Sequence, residues 1–166
     1  MITILVLTII ILIICLLGLS WFAGSDAPYI PSNRGKLKKI LKLAGVKNGT
    51  IFYELGSGDG RVVTEAARLG ACAHGVEQSW IRVLLSRWQA KKLKLKNTHF
   101  FHGDIFKREY FPADVVYIYL LTPAVLKLEK KLKKELNQGS KVITQTYHFK
   151  NWKPYKKLDN FWIYIV

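Results

Sequence analysis

Cysteine is nearly missing from this chain: Cys15 and Cys72 are the two among 166 residues. One lies in an apolar amino-terminal run and the other in the body, so no bridge between them is expected. No paired-cysteine spacing of the metal-binding kind is present either. These absences exclude a disulfide framework and point to a reducing compartment. Acidic residues are scarce as well, 11 against 26 Lys and Arg, giving a formal net charge of +15. A surface so biased favours anionic neighbours. The four histidines, at 74, 99, 102 and 148, are scattered. His99 and His102 stand three apart on a predicted strand and so face opposite sides. They make a poor pair of ligands, and no metal is expected. Internal repeats are lacking, and no charge precedes Asp26.

That charge-free start reads Ile2-Thr3-Ile4-Leu5-Val6 through Leu16-Leu17 to Trp21-Phe22. About 21 helical residues at ~1.5 Å each match the ~30 Å hydrocarbon core, so residues 1–23 are expected to form one transmembrane helix. A cleaved signal peptide would want a basic start and a shorter apolar stretch. Trp21 and Phe22 fit an interfacial belt, and Arg34, Lys36, Lys38 and Lys39 follow. The positive-inside bias then predicts a single-pass protein with its amino terminus outside and its body on the cytoplasmic face, or the matrix face of a mitochondrion. Residues 24–32 form a short linker that holds the body within about 30 Å of the bilayer. Residues 33–166 are one domain of ordinary size. Its lysines group at 36–47, 91–96, 127–134 and 150–157. Beside a bilayer they meet anionic headgroups, at about 1 kcal/mol per well-placed cation.

Within the domain, apolar periodicity predicts a helix from Asn33 to Ala44 with Leu37, Ile40, Leu41 and Ala44 on one stripe. Strands are expected at Ile51–Leu55, Cys72–Val76, Thr98–Phe101, Val115–Leu120, Lys141–Tyr147 and Phe161–Val166. Helices fall between them: Arg61–Leu69, one capped by Ser79 and running to Leu93, and 123–137 opened by Thr122-Pro123. Strands alternating with helices predict a mostly parallel sheet of about six strands in a three-layer α/β/α sandwich, with ligands at the carboxyl ends of the strands.

Residues 54–60 read Glu-Leu-Gly-Ser-Gly-Asp-Gly, after an apolar run and before a helical one. Gly56, Gly58 and Gly60 suit a strand-to-helix turn that needs positive φ and lets a ligand approach bare backbone. The G-x-G-x-G spacing and the leading Glu54 depart from the dinucleotide fingerprint and point to S-adenosyl-L-methionine. The topology brings Glu54 and the turn residues Ser57 and Asp59, then Glu77, then Asp104 to neighbouring strand ends. Glu77 suits the ribose hydroxyls. Asp104 suits the adenine amino group, Ile105 packs on the ring, and the turn faces the methionine portion.

On these residues the chain resembles the membrane-anchored class I methyltransferases related to the mitochondrial lysine methyltransferases of the ATP synthase c-subunit and the adenine nucleotide translocase. The likeness runs nearly end to end. It rests on the apolar start, Tyr29-Ile30-Pro31-Ser32, Leu55 to Arg61 as LGSGDGR, Ser86-Arg87, Asp104, Leu128-Glu129-Lys130-Lys131-Leu132, and Trp152 with Pro154. The resemblance implies a seven-strand-type Rossmann-like fold, S-adenosylmethionine as donor and a protein lysine as acceptor, such as one of an ATP synthase c-subunit. Two departures stand out. Gln78-Ser79-Trp80 replaces the family's Asn-Pro after the second-strand acid, and too few residues follow the fifth strand for the usual helix and terminal hairpin.

The implied reaction is an in-line displacement in which a neutral amine attacks a sulfonium methyl. Lysine has an unperturbed pKa near ~10.4, so the site must strip a proton and hold the nitrogen about 3 Å from the methyl. Tyr119, Thr122 and Tyr29 are the polar groups expected nearest the transfer. Two rivals remain open: a membrane-associated enzyme of the same fold acting on a lipid, quinone or other small molecule, and a non-enzymatic basic module for nucleic acid. The second is disfavoured because the tryptophans are dispersed rather than arrayed on one sheet face.

Overall fold

The computed structural model describes residues 1–22, 32 and 34–166. Helix α1 covers Ile2–Phe22. The expectation that it crosses a bilayer is corrected: among the described residues, no helix is long and apolar enough to cross a membrane. The single-pass placement, its outside-to-inside orientation and bilayer attachment through this helix all rested on that span and fall with it. Most of the linker expected at 24–32 lies outside the described residues.

Helix α2 (Arg34–Leu43) forms because Leu37, Ile40, Leu41 and Ala44 recur at helical spacing, and all four are buried. It ends where Gly45 turns to φ 88° and the Val46 N–H donates to the Leu41 carbonyl at 3.0 Å, a glycine stop that satisfies an orphan acceptor. Then follow β1 (Ile51–Leu55), α3 (Arg61–Arg68), β2 (Cys72–Glu77), α4 (Trp80–Lys92), β3 (Thr98–His102), β4 (Val115–Ile118), α5 (Thr122–Glu135), β5 (Lys141–Gln145), β6 (Lys156–Leu158) and β7 (Phe161–Ile165).

The sheet has seven strands in the order β3-β2-β1-β4-β5-β7-β6, which corrects the expected six. The first five are parallel, while β7 runs antiparallel to β5 and to β6. A terminal hairpin does fit in the residues after β5, because no helix intervenes and its outer strand is only three residues long. Alternation along the strands splits the core into two layers. Phe52, Ala73, Phe100, Tyr117 and Ile143 face α2, α3 and α4, and Tyr53, Leu55, Val76, Val116, Ile118 and Val142 face α5 through Val125, Leu128 and Leu132. Each fully buried leucine or isoleucine contributes roughly 1.5–3 kcal/mol. Chain direction reverses its crossing between β1 and β4, which opens a crevice at their carboxyl ends.

Candidate functional site

At the end of β1 the backbone enters the glycine bend, with Gly56, Gly58 and Gly60 at φ 79°, 53° and 75°. The left-handed region penalises any side chain. Packing adds a second demand at Gly60, where a Cβ would lie 2.6 Å from Phe100 Cε1 and 2.9 Å from Ser86 Cβ. The bend is stitched to β2: the Gly56 and Ser57 N–H groups both donate to the Val76 carbonyl, at 2.9 and 3.0 Å. Ser86 of α4 donates its hydroxyl to the Gly58 carbonyl at 3.1 Å.

Glu77 sits at the centre of this arrangement. One carboxylate oxygen accepts the Gly58 N–H at 2.8 Å, and the other accepts the Ser79 N–H at 2.9 Å and lies 3.8 Å from Arg82 Nη1. The side chain is buried. It therefore braces the bend against the start of α4, a role that sequence reasoning did not assign. An ionised carboxylate has about four acceptor positions, so each oxygen keeps capacity for a ligand hydroxyl.

The three acids form a diagonal row. Glu54 is opposite Gly75, two residues before Glu77, and Glu77 is opposite His102, two residues before Asp104. Each step advances about 7 Å along the strands at ~3.3 Å per residue. Glu54 lies deepest, accepting the Val63 N–H at 3.3 Å in the first turn of α3. Burial first, then the charges of Asp59 and Glu77, push its carboxyl well above the ordinary glutamate range, with the Val63 bond opposing them. Asp104 is half-buried and caps its own turn by accepting the Phe106 N–H at 2.8 Å. Ile105 is half-buried beside the α5-side core.

Asp59 does not stand free in the bend. It takes Arg61 in a two-pronged ion pair, Nε to Oδ1 at 3.0 Å and Nη2 to Oδ2 at 2.7 Å. The same guanidinium donates to the Ser32 carbonyl at 3.3 Å. Ser32 in turn donates its hydroxyl to Gln145 Oε1 at 2.7 Å and lies 3.3 Å from the Tyr117 hydroxyl, which also donates to Gln145. This network ties Ser32 to the ends of β4 and β5. Burial holds the Tyr117 phenol well above its usual range. Tyr117 and Gln145 were missed in the sequence; the signal available was a pair of polar residues, Thr144 and Gln145, closing the apolar Val142-Ile143.

Of the groups expected near the transferred methyl, Tyr119 follows the end of β4 and is half-buried. Thr122 is exposed and is the first residue of α5 rather than its cap. Tyr29 lies outside the described residues. A cleft of about 690 Å³ opens elsewhere, between α4 and the outer edge of β3, lined by Arg87, Lys91, Lys94 and Lys96. The convergent acceptors and the bare bend locate the candidate site better than that concavity, which gathers no acidic group.

The donor set fits a sulfonium nucleoside. Bare backbone at positive φ, a fixed carboxylate at the end of β2 and a second acid with an apolar neighbour after β3 match hydroxyls, an amino group and a ring. Comparison with known proteins agrees. The ANTKMT methyltransferase domain matches residues 54–156. An ATP synthase c-subunit lysine N-methyltransferase of Xenopus laevis is 33% identical over 142 residues, covering 82% of this chain and 62% of that protein. The chain thus spans less than two thirds of that relative's length. A protein-lysine N-methyltransferase of Saccharolobus islandicus is 30% identical, over 76% of this chain and 81% of that protein. Among solved structures, an RNA methyltransferase from Salinibacter ruber in complex with S-adenosyl-L-homocysteine superposes with a TM-score of 0.77 at 32% identity, covering 82% of this chain and 92% of that one.

Proposed function

The chain belongs to the family of the ANTKMT methyltransferase domain, and on that premise we propose that it transfers a methyl group from S-adenosylmethionine to a lysine of a membrane protein of the ATP synthase c-subunit kind. The observation that carries the reading is the buried Glu77 carboxylate held at the glycine bend by the Gly58 and Ser79 N–H groups. The names of the Xenopus and Saccharolobus relatives support a lysine acceptor, and the product bound in the Salinibacter structure supports the donor.

When bound, the donor supplies an electrophilic methyl on a sulfonium. Glu77 accepts hydrogen bonds from the ribose hydroxyls, and its brace keeps the carboxylate from turning away. Asp104 accepts from the adenine amino group, and Ile105 packs on the ring. Gly56, Ser57 and Gly58 line the methionine portion with backbone, while Asp59 and Gly60 fix the exit of the bend. Tyr119 and Thr122, with Tyr29 from the preceding segment, orient the attacking amine. Alignment supplies most of the rate, so no strong base is required.

A second reading has a specific observation behind it. The Salinibacter relative is described as an RNA methyltransferase, and a net charge of +15 suits a polyanion. One experiment separates the readings: membranes that carry the ATP synthase, with and without added RNA, are incubated with donor carrying a labelled methyl, then fractionated into protein, lipid and RNA. Label on a c-subunit lysine supports the proposal. Label confined to RNA or lipid overturns it.

A further inference from the structure

Away from the glycine bend, parallel pairing of β2 with β3 sets His74 directly beside His99. Cys72 precedes His74 by two residues, which puts it on the same face of the sheet. The two imidazoles are stacked, with centroids 5.0 Å apart and planes 23° from parallel, and Tyr53 continues the row against His74 at 4.5 Å. Cys72 Sγ lies 3.8 Å from His74 Nε2. One donor atom from each of Cys72, His74 and His99 falls within 4.8 Å of the other two.

A row of stacked rings needs no heteroatoms, and phenylalanine would serve it as well. Here the heteroatoms converge. Cys72 and His74 are half-buried and His99 is exposed, so the group is fixed on two sides and open on the third. His74 Nδ1 is buried and makes no hydrogen bond of good geometry.

We propose that Cys72, His74 and His99 form a transition-metal site that takes Zn²⁺, with water in the fourth position. Thiolate and imidazole are the donors this borderline ion prefers, at about 2.3 Å for sulfur and about 2.0–2.1 Å for nitrogen. Tetrahedral placement at those lengths sets donors roughly 3.3–3.7 Å apart. The Cys72–His74 pair at 3.8 Å is nearly there, and the exposed His99 ring has to turn out of its stack on His74 to aim a nitrogen at the same ion and close the remaining gap of about 1 Å. Cys72 opens β2 whereas Glu77 ends it, about 17 Å away at ~3.3 Å per residue. The ion is therefore a staple between the outermost parallel strands, not a participant at the candidate active site.

The test uses the full chain without a polyhistidine tag, titrated with Co²⁺ as a spectroscopic stand-in and with Zn²⁺ in thermal denaturation. Expected are one ion per chain, a thiolate-to-cobalt charge-transfer band that vanishes in Cys72→Ser, and at least about tenfold weaker binding in His99→Ala, because losing even a group that only orients a ligand costs about tenfold or more. His99 is exposed, so its variant keeps the fold. Zn²⁺ should raise the melting temperature of the wild type but not of His99→Ala. Absence of the thiolate band, or equal affinity in wild type and both variants, overturns the site and assigns any bound metal to adventitious surface histidines.

Discussion

Replacing Glu77 by glutamine keeps the shape of the side chain and removes one acceptor, which makes it the sharpest probe of the glycine bend. Two backbone N–H groups, of Gly58 and Ser79, now each face one carboxylate oxygen. In Glu77→Gln one of them meets an amide nitrogen instead. A buried donor left without an acceptor costs about 1–3 kcal/mol. The surviving bond drops from charge-assisted to neutral, about half its strength, and the buried Arg82 loses an opposing charge at 3.8 Å. Together these give a loss of about 2–4 kcal/mol, within the ~5–15 kcal/mol of an ordinary domain, so the variant should still fold. With a urea slope of about 2 kcal/mol/M, mid-range for a small domain, the midpoint should fall by roughly 1–2 M, followed through tryptophan fluorescence. Calorimetry with S-adenosylhomocysteine should show binding weakened by about tenfold to a hundredfold, since hydrogen bonds to a charged group contribute about 1.5–3 kcal/mol. A lowered midpoint with unchanged affinity would reduce Glu77 to a brace and refute its ribose role. No change in either would refute the whole account of the bend.

Three further outcomes are expected. Gly60→Ala forces a Cβ to 2.6 Å from Phe100 at φ 75°; left-handed strain of ~1–2 kcal/mol and overpacking of ~1–3 kcal/mol should destabilise the domain by about 2–5 kcal/mol in urea unfolding, and an effect under about 0.5 kcal/mol would contradict the packing. Gln145→Ala removes the acceptor shared by Ser32 and Tyr117 and should cost about 1–3 kcal/mol in urea unfolding; an effect under about 0.5 kcal/mol would contradict a stabilising role for this network. Because burial raises the Glu54 pKa above its ordinary 4.5, the folded state binds this proton more tightly than the unfolded one. Its stabilising contribution is full below 4.5 and is lost as pH rises through the higher folded value. Glu54→Gln should therefore gain stability relative to wild type as pH increases from about that value, and parallel stability curves for the two proteins would disprove the shift.

Much of the sheet could be read locally. Ile51–Leu55 is closed by the glycine bend and Thr98–His102 by Gly103, while Cys72–Glu77 runs on to the acid itself, so their positions follow from pattern and turn chemistry, although the second and third each extend one residue past the expected Val76 and Phe101. Strand β6 was invisible because Lys-Lys-Leu on a sheet edge has neither alternation nor apolar content; it exists only through pairing with β7. The apolar start misled for the opposite reason. Composition and length suggested a span, yet among the described residues no helix is long and apolar enough to cross a membrane.

What the amino-acid order determined alone was the alternation of strands and helices, the glycine bend with its left-handed φ angles, and the presence of acids at successive strand ends. These depend on contacts between near neighbours, which the chain carries wherever it goes. Tertiary structure alone decided what the side chains do there. It turned Glu77 into a brace across nineteen positions of sequence, joined Ser32 to Gln145 and set His74 beside His99 rather than pairing His99 with His102. Partners of that kind are chosen by register and strand order, which arise from the burial of the whole sheet and leave no trace in local spacing.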